Sequence, residues 1–395
     1  VDMINNLIIV LFSALATGGA VVVSQFLGAR EQKSANKSAG QLILLSGILG
    51  LGVGVLCFVL ARPMIRLFYG SIDADVLDAG TLYLKIIAVS YPFLALYNAG
   101  AALFRSMGNS RISMQISVLM NIINIVGNAV CIFGLKMGVD GVAWATVISE
   151  CVSAGLIIRS LMKENGAMKL HLTKLRIVSG KLTQIVRVGL PAGMQGAIFS
   201  ISNVLIQSSV NSFGSIAMAG NTASSNIEGF VYTAMNAVYQ TSLSFTSQNL
   251  GGEKFSRIDK IKNICLGVVP VVGLVLGWGA VLGGHQLLGI YSSDPEVLSF
   301  GMRRLRIICG TYFLCGLMDC MVGSLRGMGY SVIPMFVSLT GACAFRVFWI
   351  FTIFAVNRTL EVLYLSYPVS WIITAASHMV TYYIVRKHFP KEDKA

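Results

Sequence analysis

Four ionisable side chains sit inside long apolar stretches of this 395-residue sequence: Glu150, Glu228, Asp319 and Arg346. A charge in hydrocarbon costs roughly 2.5–3.5 kcal/mol even on the gentlest insertion scale, so such residues need a partner, water or a passing ion. One chemistry is open to the acids. A carboxylate in a low-dielectric cavity can hold a proton or a small cation and yield it when another cation enters. Depth separates the four. At ~1.5 Å per residue from the basic end of each stretch, Asp319 lies ~10 Å deep, Glu150 ~18 Å, Arg346 ~21 Å and Glu228 ~31 Å. Glu228 therefore reads as a solvated carboxylate near the far surface, and Glu150 as a packing partner or a functional acid. Asp319, Glu150 and Glu228 are the candidate coupling-ion residues, with Arg346 as a candidate charge partner.

Uncharged polar residues stripe the same stretches. Asn121, Asn124 and Asn128 form one set, Gln195, Asn203 and Gln207 another, Tyr239 and Gln240 a third. Spacings of three, four and seven put each set on one helical face. Such a face either hydrogen-bonds a neighbouring helix or walls a wet cavity. Pro191 precedes the second set and is expected to kink its helix near that cavity. No HExxH, GxSxG, GxxxxGK[ST] or GxGxxG occurs, the eight cysteines make no CxxC pair, and the four histidines are scattered. An intramembrane enzyme would need a clustered nucleophile or metal set. No metal site or cofactor is assigned.

The elements that position these residues follow from composition. The chain is 55% hydrophobic and 12% charged, against ~25% charged for ordinary soluble domains. Its mean hydropathy is +0.74. Apolar runs of about 20 residues fit a hydrocarbon core ~30 Å thick, and unpaired backbone groups cannot persist there, so the runs are helices. Eleven are expected: 3–27, 39–61, 81–104, 113–135, 140–162, 186–212, 227–249, 262–283, 304–325, 333–354 and 363–385. The net charge of +13 does not indicate nucleic acid. Most Lys and Arg fall in alternate loops, including Arg30, Lys33, Lys254, Arg257, Lys391 and Lys394, while "IDADVLD" (72–78) and "SDPEV" (293–297) mark the opposite face. The positive-inside rule makes the basic face cytoplasmic. The basic segment 163–182 is then a cytoplasmic linker, amphipathic enough for an interfacial helix, and the C-terminal tail is cytoplasmic too.

The chain also repeats itself. "FRSMGNSRISM" (104–114) matches "LRGMGYSVIPM" (325–335) at an offset of 221, "SQFLGARE" (24–31) matches "SQNLGGEK" (247–254) at 223, and "DADVL" (73–77) matches "DPEVL" (294–298) at 221. Three blocks in one order indicate a tandem duplication. The Arg-x-Met-Gly blocks read as helix exits, with Arg105 and Arg326 snorkelling to headgroups and Gly108 and Gly329 ending the helices. Paired small residues such as Gly50/Gly54 and Gly279/Gly283 read as close helix contacts. Under this duplication Asp319 aligns with Asn98, and Arg346 with Ile125. Charges that break the symmetry are better functional candidates than residues that obey it. The ruler also gives the first half five helices and the second six, so a first helix is expected upstream. The expected domains are an N-terminal lobe (1–162), a cytoplasmic linker (163–185), and a C-terminal lobe with its tail (186–395). Six helices per half make the repeats parallel, related by an axis along the membrane normal.

Two six-helix halves, "GLPAGMQ" (189–195) and "GSLRGMG" (323–329) resemble the multidrug and toxic compound extrusion (MATE) transporters, nearest the bacterial branch named for DinF. The resemblance implies an all-α membrane protein built as a V-shaped bundle of two parallel six-helix repeats. It implies export of organic, often cationic, compounds in exchange for protons or sodium ions, by alternating access, in a bacterial plasma membrane. Many members carry an acid eleven residues before the Arg of the "LRG" signature. Here Cys315 holds that position and Asp319 lies one turn on. The polar cavity candidates are then Pro191, Gln195, Asn203, Gln207, Tyr239, Asn98 and Asn128. The expected partners are the bilayer and a small organic substrate, with no nucleic acid, and the expected state is a monomer. A lipid-linked oligosaccharide flippase is the alternative the resemblance allows. Flippases tend to line the cavity with several cations, whereas the interior acids here outnumber Arg346.

Overall fold

The computed structural model describes residues 1–70, 73–164, 168–390 and Asp393. Among them there are helices and no strand, as the bilayer argument requires. Contacts divide the chain into two compact units, Val1–Gly193 and Met194–Ala395. Unit one contains α1 (Asp2–Gly28), α2 (Gln32–Val59), the short α3 (Ala61–Tyr69), α4 (Ala74–Ser106), α5 (Ser110–Ala129) and α6 (Val139–Lys163). A π-helical turn, Val130–Gly134, closes α5. The next helix, α7 (Ser179–Asn211), begins in unit one and ends in unit two, with Pro191 inside it. Unit two continues with α8 (Ser215–Gly251), α9 (Phe255–Leu282), α10 (Gly284–Gly289), α11 (Pro295–Thr311) and α12 (Phe313–Gly327). A broken helix follows, made of α13 (Val332–Ser338), a π-helical stretch (Leu339–Ala344), α14 (Phe345–Phe351) and α15 (Ile353–Val356), and α16 (Leu360–Arg386) ends the series.

The duplication is written into these boundaries. From α1 to α3, helix ends and starts recur at an offset of 223: Gly28 with Gly251, Gln32 with Phe255, Ala61 with Gly284. From α4 onward the offset is 221: Ala74 with Pro295, Val139 with Leu360. The helix exits recur as well. Gly108 (φ 75°) and Gly329 (φ 89°) take the left-handed conformation, and the next residues donate back, Asn109 N to Phe104 O at 3.0 Å and Tyr330 N to Leu325 O at 3.1 Å. This is the bonding that ends a helix in a left-handed residue, so the chain writes its corner twice because it builds the corner twice.

Close packing is duplicated too, with one change from expectation. A Cβ on Gly50 would meet the backbone of Pro92, and one on Gly54 the carbonyl of Ala88, so both glycines seat α2 on α4. In unit two the corresponding contacts are Gly273 on Phe313 and Gly277 on the Cys309 carbonyl. The expected pair Gly279/Gly283 does not do this work: nothing beyond its own helix lies near Gly279, and the closest atom to a Cβ on Gly283 is the Gly279 carbonyl.

Among the described residues eight helices are long and apolar enough to cross a membrane, and α11 with α12, bent by 44° at their break, make a ninth if the pair is one span. The other two expected spans are present as helices, α8 and α16, of 37 and 27 residues. Their average hydropathy is lowered by polar residues turned into the unit, among them Asn221, Ser224, Ser242 and Ser247 on α8 and Ser366, Ser370, Thr374 and His378 on α16. The expected interfacial helix at 163–182 is corrected. Among its described residues there is a single 3₁₀ turn, Leu172–Lys174, before α7 begins. Met168 and Leu170 are instead buried in unit one, and Leu170 N donates to Leu161 O at 3.1 Å. Residues 165–167 of that segment, and the tail lysines Lys391 and Lys394, lie outside the described residues.

Candidate functional site

Unit two gathers most of the buried polar chemistry. On α8, Glu228 is buried, as is Arg304 on α11. The guanidinium donates to both carboxylate oxygens, Nε to Oε1 at 2.7 Å and Nη2 to Oε2 at 2.7 Å. The third guanidinium nitrogen reaches Asn221 Oδ1 at 2.8 Å. Asn221 also accepts from the Tyr364 hydroxyl at 3.2 Å and donates to Gln207 Oε1 at 2.7 Å. The solvated reading of Glu228 is therefore wrong. Rise along a helix measures depth in a membrane, but it does not see that α11 brings a cation to that level. Arg304 was missed altogether, because it stands at the very start of the expected span 304–325, where an arginine reads as a surface charge. Arg303 takes the outward role, pairing with exposed Glu361 at 3.2 Å.

A second network lies around α12. Arg326 is 6% exposed, so it does not snorkel to headgroups. Its guanidinium donates to the Tyr239 hydroxyl at 2.9 Å and to Gln195 Oε1 at 2.8 Å, while Nε has no partner. The small residues around it, Gly323 against Tyr239 and Gly327 against Thr246, let α12 lie so close to α8 that the side chain is enclosed. Asp319, two turns earlier on α12, has Arg326 and the Tyr232 hydroxyl as its electrostatic neighbours. Thus Arg326 joins Gln195 and Tyr239 from two other helices, and Asp319 lies within its electrostatic reach.

Arg346 follows the π-helical stretch and is 2% exposed. Its Nε donates to Ser370 Oγ at 2.9 Å, and its guanidinium lies 4.2 Å from the Tyr367 ring centroid and 5.8 Å from that of Trp371. Among the described residues no carboxylate pairs with it, so the groups that stabilise its charge are a hydroxyl and two ring faces. Such cation–π contacts strengthen when desolvated. On the same face of α16, Thr374 packs against Gly341 and His378 Nε2 lies 2.9 Å from Ser338 Oγ.

Unit one has a smaller set. Asn128 donates to Asn124 Oδ1 and Asn124 to Thr146 Oγ1, both at 3.1 Å. Glu150 on α6 lies beside Ser90 and Tyr91 of α4, and its Oε2 is buried without a hydrogen-bond partner. The Tyr91 hydroxyl donates to Asn5 Oδ1 at 2.6 Å. Asn98 is half-buried on α4 and Asn203 exposed on α7. Pro191 falls in the part of α7 assigned to unit one, and the helix runs through it unbroken. No group of three or more His, Cys, Asp or Glu able to hold a metal occurs among the described residues.

This arrangement has known relatives. The family model described as MatE matches residues 1–130 and 191–352. The uncharacterized transporter YisQ of Bacillus subtilis is 27% identical over 75% of this chain, a match that spans 66% of YisQ, and the probable multidrug resistance protein YoeA of the same organism is 24% identical over 82% of this chain and 71% of its own length. The multidrug export protein MepA of Staphylococcus saprophyticus is 24% identical over 79% of this chain and 68% of its own. The chain thus spans about two thirds of the length of such relatives. Among solved structures, MATE in complex with MaL6 superposes with a TM-score of 0.91 at 18% identity, covering 98% of this chain and 86% of that one. An outward-facing multidrug resistance MATE family transporter gives 0.90 at 18%. At that identity the likeness establishes the fold.

Proposed function

The chain belongs to the MatE family of membrane transporters, and on that premise we propose that it exports organic, mainly cationic compounds in exchange for protons or sodium ions. The observation that carries this reading is Asp319. It is a membrane-embedded acid that the duplication did not copy, with Tyr232 and Arg326 as its electrostatic neighbours, and Arg326 is in turn held by Tyr239 and Gln195. Competition at one carboxylate is sufficient for exchange. A desolvated carboxyl favours its protonated form, and an incoming cation favours the ionised form. Each tenfold of linkage corresponds to ~1.4 kcal/mol, and linkage is reciprocal, so an ion gradient can drive the drug uphill. Alternating access by movement of one repeat against the other completes the cycle. The site is that of a multi-pass protein of a bacterial plasma membrane, with the 163–185 linker and the tail on the cytoplasmic side, acting as a monomer without cofactor.

A second reading has a specific observation in its favour. Unit two buries three arginines, Arg304, Arg326 and Arg346, where the sequence singled out one. Arg304 is neutralised by Glu228, but Arg346 has no acidic partner among the described residues. This suits an anionic substrate, as in a lipid-linked oligosaccharide flippase. Uptake into inverted vesicles separates the two. Accumulation of a cationic dye under an imposed proton or sodium gradient supports the exporter. Gradient-independent movement of a lipid pyrophosphate with no dye uptake supports the flippase.

A further inference from the structure

Each unit sets an acid beside an equivalent tyrosine, Glu150 by Tyr91 and Glu228 by Tyr312, but among the described residues only unit two gives that acid a cation. With the offsets that align the helices, Glu228 on α8 corresponds to Asn5 on α1, Tyr312 to Tyr91, Arg304 to Tyr83, and Trp371 on α16 to Glu150 on α6. In unit two, Tyr312 stacks on Trp371 with centroids 5.3 Å apart, and the acid comes from α8, clamped by Arg304 through two bonds. In unit one, Asn5 takes the place of that acid and accepts from Tyr91. The carboxylate comes instead from α6, as Glu150, and the place of the arginine is held by Tyr83.

The consequence is electrostatic. Glu228 is clamped in a two-bond ion pair, and protonating it would leave the Arg304 charge buried and alone. Glu150 has no such clamp. The one donor beside it is the Ser90 hydroxyl, and neither Glu150 Oε2 nor Ser90 Oγ closes a hydrogen bond of full geometry. The titratable groups around Tyr91 are Glu150 itself, Tyr83 on α4 and the Cys57 thiol on α2, none of them cationic. Lys85, the charged residue of α4 nearest in sequence to Ser90, lies over the Phe58 ring, and Arg111 at the start of α5 is exposed. An ionised Glu150 thus has neither a counter-charge nor a full set of donors, and burial without either is costly. A sodium ion needs several oxygen ligands, whereas one proton removes the charge outright.

We propose that Glu150 is a proton-exchange site of unit one, taking up and releasing one proton as its surroundings are desolvated and wetted during transport. The proposal rests on the exporter reading above and gives it a second acid, separate from Asp319. When the site opens to water the carboxyl loses its proton to solvent, and when it closes the carboxylate takes one back, so one O–H bond breaks or forms each time.

The test uses dicyclohexylcarbodiimide, a hydrophobic reagent that modifies protonated carboxyls in apolar sites. The probe is applied to the purified full chain in liposomes, and modified peptides are read by mass spectrometry. Glu150 is expected to be labelled at least about tenfold more at about pH 5 than at about pH 9, in line with one titrating carboxyl. Glu228 is expected to stay unlabelled, and the Glu150→Gln chain to lose the labelled peptide while keeping its melting temperature. Absent labelling at Glu150, labelling that ignores pH, or equal labelling of Glu228 overturns the proposal. Suppression by sodium at constant pH assigns the site to the metal ion and likewise overturns it. The readout needs no transport, so its failure leaves the exporter reading standing, and a failure of dye uptake leaves the labelling interpretable.

Discussion

Glu228 and Arg304 meet through two 2.7 Å bonds in a place where both side chains are buried. Removing one partner strands the other, whereas removing both leaves an apolar contact. Arg304→Met is therefore expected to destabilise the protein by about 3–5 kcal/mol, and Glu228→Leu with Arg304→Met to recover most of that loss. Thermal unfolding in detergent checks both. A double variant as weak as the single one would mean that Asn221 and Tyr364 depend on the pair. The sequence singled out Glu228 and Asp319 because an acid in an apolar run stands out. It could not show that Glu228 is neutralised, since its partner is 76 residues away on another helix. Arg326 was misplaced for a related reason. Its position near the end of α12 suggested headgroups, but a glycine-lined contact with α8 encloses it.

At the scale of helices, the repeat in the sequence is a repeat of contacts. Gly54 approaches the Ala88 carbonyl as Gly277 approaches that of Cys309, one duplication apart. A larger side chain at either position must push α2 from α4, or α9 from α11. Gly54→Leu and Gly277→Leu are each expected to cost about 1–3 kcal/mol, read as a lowered melting temperature, while Gly279→Leu, with nothing near it, should leave that temperature unchanged. The helices and their order were legible in the sequence because hydropathy and the duplicated blocks mark them independently. Two features were not. The helix interruption at Leu339–Ala344 carries no proline, and the return of Met168 and Leu170 into unit one is a tertiary choice within a segment whose basic composition suggested a membrane surface. Asp393 is tied back as well: it accepts from Ser256 N at 2.8 Å at the start of α9, and that bond holds its carboxyl below the usual carboxylate range.

For the whole molecule, orientation and energy coupling are the matters to be tested. The charge asymmetry predicts that a cysteine placed at Lys169 is modified by a membrane-impermeant reagent in inverted vesicles and protected in intact cells, with the reverse for one at Ser293. Modification of both from one side would contradict the topology. The central claim is that Asp319 makes an organic cation and a coupling ion compete. It is tested most directly by drug accumulation in inverted vesicles under an imposed gradient, comparing the native full-length protein with Asp319→Asn. The neutral amide keeps the size of the side chain but can neither ionise nor take a proton. The account predicts that the variant still folds and binds drug, yet accumulates none above the equilibrium level. Accumulation equal to that of the native protein would contradict it and remove Asp319 from the coupling mechanism.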